Sequence, residues 1–200
     1  MATAIGYDGY GCEHYKRKSR FVTPCCKKVY TCRFCHDEME QHPLNRKSIK
    51  ELVCIVCEKR QPVGRCCRYC FTQFGMYACL KCNFFEDEDR GQFHCTECGI
   101  CRVGYRHRFF HCPTCNLCLP RQIEGIHKCI QNVSHDNCPV CLEDLHSSRL
   151  AAHIPSCGHL LHTPCYDKLI AAGMKACPTC QGELDDVTKK VTDLFGRFKC

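Results

Sequence analysis

The apolar positions of this 200-residue chain come only in short runs. None approaches the roughly 18 consecutive apolar residues that would cross a bilayer. The opening stretch, MATAIGYDGYGCEHYKRK, lacks the apolar centre of an export signal, and no alternation of strand-like and helix-like segments marks a βαβ unit. Two segments do carry helical signals. At 163–173, Thr163 is placed to cap a helix, Pro164 suits its first turn and Gly173 its end, which puts Leu169 on that helix. Near the C-terminus, Val187, Val191, Leu194 and Phe195 recur at helical spacing behind Asp185 and Asp186, with Lys189 and Lys190 facing away. This predicts a short helix within 182–200 that packs back on the preceding module or serves a partner, a second copy of the chain included.

Composition changes the picture. Leu, Ile, Val and Phe number 43 and Trp is absent, barely above the roughly 20% level below which chains stop folding on apolar burial alone. A single large hydrophobic core is excluded. In its place stand 26 Cys and 12 His. Without an export signal the chain is expected in a reducing compartment, where stable disulfides are rare. Ten Cys-x-x-Cys pairs with histidines close by have the spacing of zinc ligands. A thioredoxin-like redox motif needs one such pair inside a βαβ unit, and that pattern is missing.

After a tail over 1–11, the ligands fall into three clusters. The first, 12–72, holds Cys12, His14, Cys25, Cys26, Cys32, Cys35, His36, His42, Cys54, Cys57, Cys67 and Cys70, enough for three tetrahedral ions, with Cys66 left over. The expected groups are Cys12, His14, Cys32 and Cys35; Cys25, Cys26, His36 and His42; and Cys54, Cys57, Cys67 and Cys70. The second cluster, 74–137, contains a repeat at a period of 17, FHCTECGIC at 93–101 and FHCPTCNLC at 110–118. One ion does not comfortably take all four ligands of so tight a run, so they are expected to split between neighbours. The expected tiling is Cys79, Cys82, Cys95 and Cys98; His94, Cys101, Cys112 and Cys115; and His111, Cys118, His127 and Cys129, three ions in a row that make a rod. The third cluster, 138–181, offers Cys138, Cys141, Cys157, His159, His162, Cys165, Cys177 and Cys180. Thirty-two ligands make eight structural Zn²⁺ ions, leaving Cys66 and Cys200. His107, His135, His146 and His153 are expected as surface or packing residues. Structural zinc supplies on the order of 10 kcal/mol per ion, enough to stand in for the missing apolar core.

The third cluster, in the order three Cys, two His, three Cys, resembles a RING finger. That resemblance implies interleaved, cross-braced sites: Cys138, Cys141, His162 and Cys165 on one ion, and Cys157, His159, Cys177 and Cys180 on the other. The CEHY opening at 12–15, Pro24-Cys25-Cys26, CRFCH at 32–36, the 17-residue repeat and the RING, in this order, resemble the RING-and-CHY-zinc-finger family of ubiquitin ligases over residues 12–181. The fold class implied is a series of small zinc-stabilised domains with little regular secondary structure: a CHY-type finger, a rod-like CTCHY-type finger, then a RING. Animal members continue into a zinc ribbon, and this sequence stops at Cys200 with no further ligand pair.

The resemblance also implies a function. RING ligases carry no covalent nucleophile; they bind a ubiquitin-conjugating enzyme and position its thioester-linked ubiquitin for attack by a substrate lysine. Val140, Leu169 and Pro178 match the conjugating-enzyme groove. Gln181 occupies the position where many active RINGs carry Arg or Lys, so a weaker, uncharged bond is expected there. The implied substrate is a protein recruited by the N-terminal fingers, of the transcription-factor kind, destined for the proteasome, and the implied location is nucleus and cytoplasm.

Charge weighs against the main alternative. The formal +7 invites nucleic-acid binding, but twenty-four thiolates on eight divalent ions bring the total to about −1. The best basic patches, KRKSR at 16–20 and Arg102, Arg106 and Arg108 among Tyr105, Phe109 and Phe110, lie on no DNA-reading helix and read as acidic-protein docking surfaces or solvated faces. A metal-responsive scaffold is the other alternative. The acidic EDED run at 86–89 reads as a solvated loop.

Overall fold

The computed structural model describes residues 10–184. The C-terminal helix expected around Val187 to Phe195 lies outside the described residues. The chain forms two compact units that divide between His94 and Cys95.

The first unit is built on a four-stranded antiparallel sheet. Strand β1 (Ser19–Val22) pairs with β2 (Val29–Tyr30); then come helix α1 (Arg33–Met39), β3 (Glu51–Cys54) and β4 (Arg60–Pro62), in the sheet order β2-β1-β3-β4. Phe21 pairs with both Tyr30 and Leu52, and Leu52 with Gln61. Strand alternation sends Leu52 and Cys54 inward while Glu51 and Val53 are half-exposed. A second ribbon, β5 (Tyr77–Cys79) with β6 (Phe84–Glu86), adds Ala78 and Phe85 to a small core with Phe21, Leu44, Ile49, Leu52 and Phe74. The Phe74 and Phe85 rings meet edge to face at 6.1 Å. Among the described residues this is the apolar cluster that supports the unit.

The charged runs of this unit neutralise one another, contrary to both expectations for them. Lys16 pairs with Glu88 at 2.9 Å and Lys18 with Asp87 at 3.2 Å. The Asp87 N–H donates to the Lys16 carbonyl at 2.8 Å. Arg17 is buried, its guanidinium carbon 4.8 Å from the centroids of both the Tyr15 and Phe21 rings. Glu86 is buried rather than solvated: it accepts the Lys16 N–H at 3.0 Å and an Arg90 N–H at 3.0 Å. Burial pulls the Arg17 pKa down, opposed by the negative charges of Cys32, Cys12 and Glu86. The KRKSR stretch is therefore an internal partner of the EDED run, not an open basic surface.

β7 (Phe93–Cys95) and β8 (Ile100–Arg102) form one ribbon, and in the second unit β9 (Phe109–Cys112) and β10 (Leu117–Pro120) form another, with Cys118 opposite His111 and Leu117 opposite Cys112. Then come β11 (Ala152–His153), β12 (Leu161–His162) and α2 (Thr163–Ala171). One core spans residues 112–184 of the unit: Leu117, Leu119, Ile123 and Val133 pack with Leu145, Ile154, Leu160, Leu161 and Leu184. Helix α2 starts one residue earlier than Thr163 predicts. Its N-cap is His162, and the Thr163 hydroxyl donates instead to the Ala151 carbonyl at 3.0 Å. Pro164 and Gly173 take the places their chemistry suits, Gly173 with φ +76° just past the Ala172 cap.

The Glu86 arrangement is testable. Replacing Glu86 by Gln removes the buried carboxylate that accepts from the Lys16 N–H and from Arg90 and should destabilise the zinc-loaded chain by about 2 kcal/mol, read as a lower urea midpoint at unchanged metal content.

Candidate metal centres

Each Cys-x-x-Cys pair shapes its own backbone. In the Cys54–Cys57 turn, the Glu58 N–H returns to the Cys54 carbonyl at 3.0 Å; Phe71 does the same to Cys67 at 3.1 Å, Leu142 to Cys138 at 2.8 Å and Gln181 to Cys177 at 2.8 Å. Closing so tight a loop around an ion drives the residue after the second cysteine into left-handed backbone. Lys27, Glu58, Phe71, Asn83, Gly99, Asn116, Leu142 and Gln181 each follow a ligand cysteine and have φ between +47° and +66°. Glycine and asparagine accept that conformation readily; Phe and Leu do not. Sequence reading missed this rule, although Asn83, Gly99 and Asn116 carry its signal.

The loops bring the ligand atoms together. Among the groups of the described residues whose ligand atoms all lie within 4.8 Å of one another are Cys12, His14, Cys32 and Cys35; Cys25, Cys26, His36 and His42; Cys54, Cys57, Cys67 and Cys70; Cys79, Cys82, His94 and Cys101; and Cys95, Cys98, His111 and Cys118. The first three are the groups expected from spacing. Cys112 lies 3.8 Å from Cys129 and 3.4 Å from His127 Nε2, and the Cys115 thiol is pushed up to about 12 by burial and by its neighbours Cys112 and Cys129.

The middle module thus departs from the expected tiling. Cys79 and Cys82 meet His94 and Cys101, not Cys95 and Cys98; Cys95 and Cys98 meet His111 and Cys118; Cys112 and Cys115 meet His127 and Cys129. His111 and Cys118 are cross-strand partners on one face of the β9–β10 ribbon, whereas Cys112, the next residue, faces the other way. The outer His and Cys of each repeat therefore share one ion and the inner Cys-x-x-Cys another. Spacing captured that division but gave the outer pair to the following cysteines; it closes the preceding ones.

In the third cluster, Cys141 lies 3.2 Å from His162 Nδ1, and the His162 N–H donates to Cys138 Sγ at 3.5 Å. The Cys165 thiol is pushed up to about 12, by burial and then by Cys141 and Cys138. Cys157 is pushed up to about 11 by burial and by Cys177 and Cys180 beside it. His159 Nδ1 is a buried nitrogen with no hydrogen-bond partner, the condition of an atom aimed at a cation. Between them Gly158 has φ +87°, and a Cβ there would stand 2.6 Å from the Lys128 carbonyl oxygen.

Zinc fits these sites on geometry. With Zn–S near 2.3 Å and Zn–N near 2.0 Å, a tetrahedron has S···S edges of about 3.8 Å and N···S edges of about 3.6 Å. The S···S separations are 3.7 Å for Cys54–Cys70, 3.5 Å for Cys57–Cys67 and 3.6 Å for Cys98–Cys118. His14 Nδ1 lies 3.6 Å from both Cys32 and Cys35. The donor chemistry agrees: packed sulfurs split their titrations, Cys98 falling to about 4 through its bond with Cys118 and then Arg102, while Cys118 is pushed up by Cys98. A divalent cation resolves that conflict by holding all four deprotonated. Outer partners orient the rings: His36 gives Nδ1 to Asp37 at 2.8 Å and turns Nε2 to Cys25 at 3.3 Å, and His127 gives Nδ1 to the Ile123 carbonyl at 3.1 Å. Bound zinc supplies cross-linking here, in about eight structural sites.

A joint links the middle module to the third cluster. Arg102 donates to Cys98 Sγ at 3.7 Å and to the His146 carbonyl at 3.0 Å, and His146 Nε2 donates to the Cys98 carbonyl at 3.0 Å. Burial holds the His146 pKa below its usual value. His135 stacks on His146 at 4.3 Å, His153 on Tyr166 at 3.5 Å, and His107 is exposed. Of the three groove residues, Val140 is exposed on the Cys138–Cys141 loop, Leu169 is half-buried on α2 against the core, and Pro178 is half-buried on the Cys177–Cys180 loop.

Serial Cys/His tetrads that end in an interleaved pair define a multi-zinc protein of the RING class. Residues 12–77 match the CHY zinc finger family and residues 136–181 the Ring finger domain. The chain is 40% identical over 188 residues to the E3 ubiquitin-protein ligase SRFP1 of Oryza sativa subsp. japonica, covering 92% of this chain and 72% of that protein. It is 37% identical over 194 residues to the E3 ubiquitin-protein ligase RZFP34 of Arabidopsis thaliana, covering 92% and 67%. Zinc finger protein BRUTUS of Arabidopsis thaliana is 39% identical over 183 residues, but the chain spans only 14% of its length. The chain belongs to the family of E3 ubiquitin-protein ligases that combine a CHY zinc finger with a RING.

The corrected tiling makes one distinction spectroscopy can read. His111→Cys should turn the Cys95–Cys98–Cys118 centre into a four-thiolate site, a second beside that of Cys54, Cys57, Cys67 and Cys70. In the cadmium-substituted chain one ¹¹³Cd resonance should move into the four-thiolate range; the tiling expected from spacing would instead yield a three-thiolate site from this substitution.

Proposed function

We propose that the RING at 138–181 docks a ubiquitin-conjugating enzyme on Val140, Leu169 and Pro178, and that the N-terminal fingers recruit the protein substrate whose lysine accepts ubiquitin. The reaction is positioning: the substrate amine attacks the thioester carbonyl, the conjugating enzyme's thiolate leaves, and no cysteine of this chain forms a covalent intermediate. Cys165 lies among ligand sulfurs, which speaks against a transferring role. The observation that carries the reading is the exposure of apolar side chains on a RING loop: Val140 is 37% exposed and its neighbour Leu142, which sequence reading did not single out, 73%. Proteasomal fate, a transcription-factor substrate and residence in nucleus and cytoplasm belong to the same proposal on family resemblance, and a homodimer through the C-terminal segment on the helical spacing of Val187, Val191, Leu194 and Phe195.

Gln181 is exposed, follows the last ligand and has φ +61°. An amide there can hydrogen-bond both ubiquitin and conjugating enzyme, but without the charge assistance of a guanidinium.

Discharge of ubiquitin from a loaded conjugating enzyme onto free lysine tests this reading. Val140→Glu should lower the rate by at least about tenfold, the scale of an interface anchor, with metal content and thermal midpoint retained. Gln181→Arg should raise it several-fold. Wild-type rates in Val140→Glu would remove the groove; an unchanged rate in Gln181→Arg would remove this residue from the mechanism.

A further inference from the structure

Among the eight residues forced into left-handed backbone behind the second cysteine of a close pair, Phe71 and Leu142 are the bulky apolar ones. They are also the two most exposed large apolar side chains among the described residues, at 80% and 73%. A side chain that is disfavoured by its own backbone and left in water is not there for the fold. Leu142 has a use beside Val140 in the reading above, whereas Phe71 has none.

The surroundings of Phe71 repeat those of Leu142. Tyr69, 60% exposed, and Phe71 flank Cys70 as Val140 and Leu142 flank Cys141. The facing loop of the same four-cysteine group adds Val56, 50% exposed. The rim is cationic: Lys59, Arg65 and Arg68 are exposed, Arg60 is held by Glu51 at 2.5 Å, and Glu58 is the single carboxylate between Cys54 and Phe71. With Arg60 counted, this stretch carries a net +1 after the two net negative charges of a zinc-bound four-cysteine group.

We propose that the Tyr69–Phe71 loop is a docking surface for a short acidic segment of a protein partner that carries one bulky apolar side chain. That side chain seats on Phe71, Tyr69 and Val56, and its flanking carboxylates meet Lys59, Arg65 and Arg68. The inference rests on the reading that the N-terminal fingers recruit substrate, and it names the chemistry they recruit.

The test uses the full zinc-loaded chain and a fluorescein-labelled peptide of alternating Glu and Ser around one central Phe, followed by anisotropy. Two control peptides replace the Phe by Ser or every Glu by Gln. Wild type should bind the parent peptide at least about tenfold more tightly than either control. Phe71→Asn should lose that preference while its thermal midpoint stays level or rises, because asparagine suits the left-handed backbone; a merely structural Phe71 would lower the midpoint. Equal binding of all three peptides, or full binding by Phe71→Asn, overturns the proposal. So does tighter binding of a single-stranded oligonucleotide that displaces the peptide, or a wild-type dimer that Phe71→Asn makes monomeric. Ubiquitin discharge onto free lysine, run on the wild type alongside, reports the RING independently: an active RING with no peptide preference sinks the docking surface, and peptide preference without discharge sinks the ligase reading instead.

Discussion

The convergence of four soft donor atoms onto one point about 2.3 Å away is the constraint on which this molecule depends. It is imposed about eight times in a chain whose strands are two to four residues long and whose apolar clusters are small. Unoccupied, each group would set thiols against one another, as the opposed titrations of Cys98 and Cys118 show. Occupied, it fixes the local backbone: the left-handed residue behind Cys57, Cys70, Cys82, Cys141 and Cys180, the Cys32 sulfur that accepts the Cys35 N–H and caps α1, and the hairpin that brings His111 opposite Cys118. Secondary structure here follows from coordination.

Much of this was legible because ligand identity and short-range spacing are local properties. Cys54, Cys57, Cys67 and Cys70 group as two pairs on facing loops, and Cys25 and Cys26 group with His36 and His42, just as their nearness in sequence suggests. The middle repeat was only half legible. Strand alternation separates His111 from Cys112, but both tilings keep the same pairs intact, and the direction in which a pair is shared is a tertiary fact. The N-cap of α2 was missed by one residue because Thr163 finds a better acceptor in the Ala151 carbonyl. The pairing of KRKSR with EDED is not legible in the sequence, because seventy residues separate Lys16 from Glu86 and no periodicity announces a contact of that range.

The RING is not an appendage on a flexible tether. Its core side chains Leu145, Ile154 and Leu161 are continuous with Leu117, Leu119 and Ile123 of the preceding module, and Arg102 and His146 bond across the same boundary. A conjugating enzyme landing on Val140 would meet a loop whose Cys138 belongs to that same core. Rigidity of this kind suits a catalyst that works by holding reactants in place.

The hand-over of ligands between successive repeats has an evolutionary corollary. Because every seventeen-residue unit closes the centre behind it and opens the one ahead, a duplicated unit would satisfy its own donors and add one cation, with no re-pairing elsewhere. Lengthening or shortening by whole units is chemically neutral, whereas a stand-alone finger can only be gained or lost complete. Such a segment can change its span in discrete steps, and so retune how far apart its two ends are held, without passing through an intermediate that leaves an orphaned thiolate.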